Sequence, residues 1–206
     1  MLRRARLVWM LVAALASAAV VVVSAQARTA LSRSDAKRLR EKVALIVYHG
    51  NRPAPPAAPL RTEVTERELN AYLTLDSAGE LPVGVTEPAV TIHDARRVSA
   101  KAVVDLDAVR SHRKSTGMLD PVNLLAGRLP VAASGLIDAR GGMARLQLES
   151  VSVAGLPVPV MVLREIVAYY TRSPEYPRGV NIDDPFPLPS RIKAIELRRG
   201  EAVVVQ

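Results

Sequence analysis

Length, composition and charge limit the class of protein before any motif is considered. The chain has 206 residues, which suits one modest domain with appended segments. Hydrophobic residues make up 49% of it but aromatic residues only 3%, so Val, Leu, Ile and Ala must build the core. There is no cysteine, which excludes disulfides and thiolate metal sites. The net charge of +8 is spread along the chain without one basic block, so we do not expect nucleic-acid binding.

The first 27 residues predict an export signal. A basic stretch, Leu2–Arg6, precedes the apolar run Leu7–Val23, and Ala25 and Ala27 stand where a signal peptidase reads small residues, so cleavage is expected after Ala27. The apolar run is longer than most signal cores and nearly long enough to span a bilayer, so the alternative is an uncleaved anchor. Both interpretations place the remainder outside the cytoplasm, in the periplasm or an equivalent space, because the arginines hold the N-terminus inside.

Two short segments precede the main domain. Residues 28–50 include a predicted amphipathic helix over Ser34–His49, with Ser34 as its cap. Its basic side could lie against anionic lipid, although docking on its own domain is the more ordinary role of such a helix. Residues 51–59 contain four prolines and predict an extended spacer.

Residues 60–206 are predicted to form a single α+β domain. Arg61–Val64 reads as a short strand, and Thr65–Glu68 is a capping box that begins a helix. Val90–His93 and Val98–Asp107 alternate apolar and polar residues, as the two strands of a hairpin do. One face of this hairpin is therefore expected to be apolar and the other wet.

A longer hairpin, Leu129–Val153, is the central feature of the domain. Gly141-Gly142 is a typical two-residue turn because both residues can take positive φ. That turn pairs Ile137 with Leu146 and places Gly135 opposite Leu148, which leaves one face small and apolar. The apolar phase changes near Ser150, which predicts either a β-bulge there or a part of the strand that is buried on both sides.

The C-terminal part is predicted to add one helix and one more hairpin. A short helix is expected after Asp120, and Val160–Thr171 has the spacing of an amphipathic helix. Pro174–Pro189 contains too many prolines for regular structure, and Arg191–Gln206 reads as a hairpin. The predicted fold is a curved antiparallel β-sheet of about six strands with one or two amphipathic helices packed on its apolar face.

Residues that could carry chemistry do not form a convincing site. His49, His93 and His112 are far apart and lack the spacing of metal ligands. Asp105 and Asp107 share a strand face, but alternating polar residues are usual on a wet face. We therefore expect no catalytic residue, no metal and no cofactor, and we do not expect an enzyme.

The order of these elements resembles a known family. An export signal, a linker, the stretch Thr65–Leu73, long hairpins, a helix, Pro185–Pro189 and a closing hairpin resemble bacterial envelope proteins of the LmeA type. Those proteins look like half of a TULIP lipid-binding module, in which a curved antiparallel sheet wraps a helix. The resemblance covers about residues 60–206 and implies binding of phospholipid or another envelope lipid.

Two functions remain open from the sequence. The first is a non-enzymatic exported protein that binds or shuttles lipid in a cleft between helix and sheet, because a core with few rings leaves room for acyl chains. The expected lining is aliphatic and includes Val104, Leu106, Ile137, Leu146, Leu148, Ile195 and Val204. The second is a membrane-associated envelope scaffold or assembly factor that presents a sheet edge or the Pro-rich segment to a protein partner.

Overall fold

The computed structural model describes residues 31–53, 58–77, 79–111, 127–170, 177–179 and 181–206. The described helices are α1 (Arg33–Gly50), α2 (Glu66–Leu75), α3 (Leu106–Ser111) and α4 (Val160–Tyr170). The described strands are β1 (Arg61–Thr65), β2 (Val85–Ile92), β3 (Arg97–Asp105), β4 (Arg128–Arg140), β5 (Met143–Val153), β6 (Leu156–Pro157), β7 (Phe186–Pro187), β8 (Ala194–Arg198) and β9 (Glu201–Val205). The predicted signal, residues 54–57 of the spacer and the predicted helix after Asp120 lie outside the described residues.

The strands form two antiparallel sheets. The larger one has six strands in the order β2-β3-β4-β5-β6, with β7 paired to the start of β5, and the smaller one has the order β1-β9-β8. The α+β class and the six-stranded antiparallel sheet are therefore confirmed. The expectation that the last hairpin joins the larger sheet is wrong. β9 pairs with β1 on one edge and with β8 on the other, and Leu60, just before β1, exchanges two backbone hydrogen bonds with Gln206.

The central hairpin has the predicted register. Gly141 and Gly142 have φ values of +60° and +78°, as a tight turn between twisted strands requires. Ile137 pairs with Leu146, and Gly135 pairs with Leu148, as predicted. The bulge is present but lies at Glu149, one residue before the predicted position. Its extra residue returns the following apolar side chains to the face that Leu146 and Leu148 occupy.

Several predicted strand limits differ from the structure, and the strand predicted from Val90 begins at Val85. The strand predicted over Val98–Asp107 ends at Asp105, and Leu106 begins α3 instead of continuing the apolar face. The reason is local, because the Asp105 carboxylate accepts hydrogen bonds from the backbone N–H groups of Asp107 and Ala108, each at 3.0 Å. Within the proline-rich segment predicted to be irregular, β7 pairs with β5.

Helix α1 packs on a different partner from the one expected. Its N-cap is Ser32 and not Ser34, because the Ser32 hydroxyl accepts a hydrogen bond from the Asp35 backbone N–H at 3.1 Å. The helix lies against α2 and the smaller sheet, so the expectation that it crosses the larger sheet is wrong. Two of its buried residues, Ala36 and Leu39, share one core cluster with α2 and β1, whose other buried members are Val64, Ala71 and Tyr72.

Helix α2 closes the free edge of the larger sheet. The Asn70 side-chain amide donates to the Val90 carbonyl and accepts from the Val90 backbone N–H, both at 2.7 Å. The Glu66 carboxylate accepts from the Ile92 backbone N–H at 2.8 Å. These side chains stand where another strand would otherwise pair, which removes an exposed edge.

The turns of the two sheets are joined directly. The Asp94 carboxylate in the β2–β3 turn accepts hydrogen bonds from the Arg199 backbone N–H at 3.1 Å and from its guanidinium at 2.9 Å. At the other hairpin, the Gly142 backbone N–H donates to the Lys193 carbonyl at 2.9 Å. Contacts at both hairpin ends hold the sheets together.

Loss of the edge contact at Asn70 is expected to reduce stability. Asn70→Ala leaves two backbone groups of Val90 without their side-chain partner, and such losses cost about 1–3 kcal/mol each when the groups are screened from water. We expect the free energy of unfolding, measured in urea, to fall by about 1–3 kcal/mol, which is the cost for one such group. Thr74→Ala, at an exposed position of the same helix, is the control and should change little. Equal stability of the two variants would contradict the edge-closing role.

Candidate functional site

The larger sheet has one continuous apolar face. The ladder puts Ala100, Ala133 and Val151 side by side on three adjacent strands. Gly135 is buried on this face, and the buried aliphatic side chains there are Ile92, Val98, Ala100, Ala102, Val131, Ala133, Ala139, Ala144, Leu146 and Val151. Half of these aliphatic residues are alanines, whose side chains are short. Most of the volume above this face must therefore be filled by other parts of the chain or by a ligand.

The opposite face of the same sheet is polar. Lys101, Arg145 and Gln147 are exposed on it, and Ser134 and Ser150 share a hydrogen bond of 2.8 Å between their hydroxyls. The predicted division into one apolar and one wet face is therefore present in the structure. Any apolar ligand of this sheet must bind on the alanine-rich side.

Helix α4 and the segment before it lie on one end of the apolar face. Leu163 packs with Val158 and Val160 around Ala133 and Val151, and Leu148 completes the cluster. Apart from Ala133 and Val151, the members of this cluster are only partly buried. The contact is therefore a loosely closed seam between helix and sheet.

The outer side of this region is also apolar. The chain carries no charged residue from Ser150 through Leu163. Leu156 in β6 and Met161 in α4 are each 70% exposed, and Val162 is 46% exposed. A surface helix usually turns polar residues outward, so α4 is unusual in being apolar on its packed side and on part of its free side.

The predicted lining residues do not share one surface. Val104, Ile137, Leu146 and Leu148 lie on the strands of the larger sheet, with their side chains on the apolar face. Leu106 lies in α3. Ile195 and Val204 pair with each other in the smaller sheet. They share a cluster with Ile46 of α1 and with Leu188 and Ile192 of the loop before β8.

Sequence reasoning missed the residues that meet Leu148 from the other side of the seam. Val158, Val160 and Leu163 precede or begin α4, in a segment treated only as a turn and a helix start. The available signal was the uncharged run that contains all three. Such a run is uncommon on the surface of a globular domain.

A second concave site lies between β4 and β8. It has a volume of about 340 Å³ and is lined by Arg96, Asp138, Ala139, Arg140, Ala194, Ile195, Glu196 and Leu197. Asp138 forms ion pairs with Arg96 and Arg140, each at 3.1 Å, at the rim. Its charged rim and modest size fit a small polar group better than an acyl chain.

The carboxylate with the most strongly shifted pKa lies between α1 and α2. Asp35 is buried beside Ser32, Arg67 and Arg38; the Ser32 hydroxyl donates to it at 2.6 Å and the Arg67 Nε at 2.7 Å. The Ser32 hydrogen bond, followed by those from the two arginines, lowers the pKa of Asp35 to about 2. This carboxylate stays ionised in the folded protein and ties the two helices together.

The pKa values of Glu68 and Tyr72 in α2 are also shifted, that of Glu68 downward and that of Tyr72 upward. Burial raises the pKa of Glu68, but hydrogen bonds from Lys42, at 2.7 Å, and from Thr65 outweigh burial and lower it. Burial and a hydrogen bond to Glu80 at 2.9 Å raise the pKa of Tyr72 to about 12. These shifts arise from the docking of α1 on α2, and none places a titrating group in a cleft ready for proton transfer.

Two properties of the described residues bear on the site. No group of three or more His, Cys, Asp or Glu side chains is arranged to hold a metal ion in the ranges that the structure describes. Among the helices that the structure describes, none is both long and apolar enough to cross a membrane. Comparison with known protein families, curated proteins and solved structures gave no match to this chain.

Acid is expected to loosen the contact between α1 and α2. The folded-state pKa values of Asp35 and Glu68 lie below those of the free side chains, so the unfolded chain takes up protons first as pH falls. The stability that they provide is complete above about pH 5 and is lost as pH falls toward the folded pKa, near 2 for Asp35.

Urea unfolding between pH 7 and pH 2.5 measures this loss. The double variant Asp35→Asn with Glu68→Gln should be less stable at pH 7 and should lose less stability on acidification than the unsubstituted chain. Glu165→Gln, at an exposed position in α4, is the control and should show the pH dependence of the unsubstituted chain. If the double variant kept the pH dependence of the unsubstituted chain, Asp35 and Glu68 would not be the source of the loss of stability in acid.

Proposed function

We propose that this chain is a non-enzymatic exported envelope protein that binds phospholipid or another apolar envelope lipid at the seam between α4 and the larger sheet. The observation that carries the proposal is the apolar character of α4 on two sides. Leu163 packs on the sheet while Met161 and Val162 remain exposed, in a segment without charge. An apolar ligand would cover side chains that the fold itself leaves in water.

The composition of the sheet supports a ligand with alkyl chains. The alanine-rich face has little bulk, and the whole chain has only one Phe and one Trp to fill space above it. Each buried methylene group contributes about 0.8 kcal/mol. A chain of about ten methylenes would therefore supply roughly 8 kcal/mol before the cost of ordering it, which is enough for useful affinity.

Two further expectations belong to this proposal. The basic stretch and apolar run at the N-terminus support export to the periplasm or an equivalent space, where lipid must cross water between membranes. The resemblance of residues 60–206 to LmeA-type proteins supports a curved sheet that holds lipid against a helix. Neither expectation requires a catalytic residue.

The alternative is an envelope scaffold that binds a protein partner. A sheet edge is the surface that such a scaffold would offer, but Asn70 and Glu66 occupy the edge at β2. The exposed apolar residues near α4 fit an alkyl chain and an apolar protein surface equally well in chemistry. A test of the lipid proposal must therefore detect the lipid itself.

Site-specific crosslinking provides that test. A diazirine amino acid at Leu148 faces the seam, whereas the same amino acid at Gln147 faces the polar side of the same strand. The protein is purified without detergent from cells with labelled lipid, irradiated and analysed by mass spectrometry. We expect a lipid adduct at position 148 at least about tenfold more abundant than at position 147. Protein that carries no co-purified lipid and forms no adduct at 148 would refute the proposal.

A further inference from the structure

Helix α1 carries a second apolar surface that the fold leaves uncovered. Its inner side is buried through Leu39 and Ile46. On its outer side, Leu45 is 53% exposed, Val47 43% and Tyr48 61%. Ala44 is exposed as well, and the i,i+3 and i,i+4 neighbours Val47–Ala44, Ala44–Tyr48 and Tyr48–Leu45 form a continuous patch.

This patch is held on a rigid support. Lys42 binds Glu68 of α2 at 2.7 Å, and the buried Gln206 amide donates to the Ile46 carbonyl at 2.9 Å. A Cβ atom at Gly50 would collide with the Ser190 carbonyl, so the end of the helix lies directly on the loop before β8. The outer side of α1 is therefore a preorganised surface and not a frayed end.

The same outer side is basic one to two turns earlier. Arg33, Lys37 and Arg40 are exposed there; Lys37 lies 3.7 Å from the Glu41 carboxylate, and Arg40 binds Asp76 at 2.6 Å. At 3.6 residues per turn, these positions line up with Ala44 and the apolar patch. Basic residues followed by an aromatic and two aliphatic side chains are the combination that binds the surface of an anionic bilayer.

We infer that the outer side of α1 docks on an anionic lipid bilayer. Arg33 and Lys37 would contact lipid headgroups, while Leu45, Val47 and Tyr48 would enter the boundary with the acyl chains. Residues 24–32 alone separate the N-terminal apolar run from this helix, and they span at most about 30 Å when extended. The inference goes beyond the lipid site at α4 and does not depend on it, since either surface can act without the other.

Single-cysteine labelling tests the inference because the chain contains no cysteine. A nitrobenzoxadiazole probe is attached at Leu45→Cys, at Tyr48→Cys and, as a control, at Val83→Cys, where the native side chain is 45% exposed in a loop. The full chain, with the N-terminus that export leaves it, is combined with vesicles of phosphatidylglycerol and phosphatidylcholine or of phosphatidylcholine alone.

We expect a blue shift of the emission at positions 45 and 48, but not at 83, on the anionic vesicles. Binding should be at least about tenfold weaker on neutral vesicles and should weaken with salt. Lys37→Glu should reduce the shift at position 48, whereas Lys101→Glu, at an exposed position on the polar face of β3, should not.

Three outcomes would overturn the inference. One is the absence of a shift at positions 45 and 48 on anionic vesicles. Another is an equal shift at 83, which means unspecific insertion. The third is a shift without vesicles that grows with protein concentration, which means that a second copy covers the patch. The crosslinking at Leu148 uses no vesicles, so failure of one proposal is distinguishable from failure of the other.

Discussion

The two-residue turn at Gly141-Gly142 is the constraint on which the larger sheet depends. It fixes the pairing of β4 with β5, and a slip of β5 by one residue would turn Leu146 to water and Arg145 inward. The bulge at Glu149 keeps Val151 on the apolar face farther along the strand. Its carboxylate binds Arg97 at 2.9 Å on β3. Turn and bulge together therefore decide which side of the sheet can meet α4.

Helix α2 connects parts of the molecule that the hairpins alone would leave separate. Its capping box uses Thr65, the last residue of β1, so the smaller sheet runs directly into the helix. Glu68 of that box also binds Lys42 of α1, and Asn70, half a turn further, closes the edge of β2. One short helix thus holds α1 and both sheets. This explains why the buried charges gather there and not at the apolar seam.

Local patterns predicted local structure well, and long-range pairing poorly. The register around Gly141 and the capping box at Thr65 follow from neighbours in sequence, and both are confirmed. The last hairpin was also recognised, but alternation along a strand is the same in any sheet, so nothing in it indicated that Val204 would pair beside β1. Leu106 was misplaced because a side-chain hydrogen bond at Asp105 ended a strand whose alternation continued. For these two reasons, the residues predicted to line one lipid site lie on separate surfaces.

The exposed residues of α1 contribute much less to the stability of the fold than the buried residues of the same helix. Replacing Ile46 by alanine would lower the free energy of unfolding by about 2–5 kcal/mol, because Ile46 packs in a buried cluster with Ile192 and Val204. Leu45 and Tyr48 gain little from folding, since most of their surface stays in water. Polar residues there would leave the packing of the domain unchanged. The fold therefore does not account for their apolar character, whereas a bilayer held against the basic end of the same helix does.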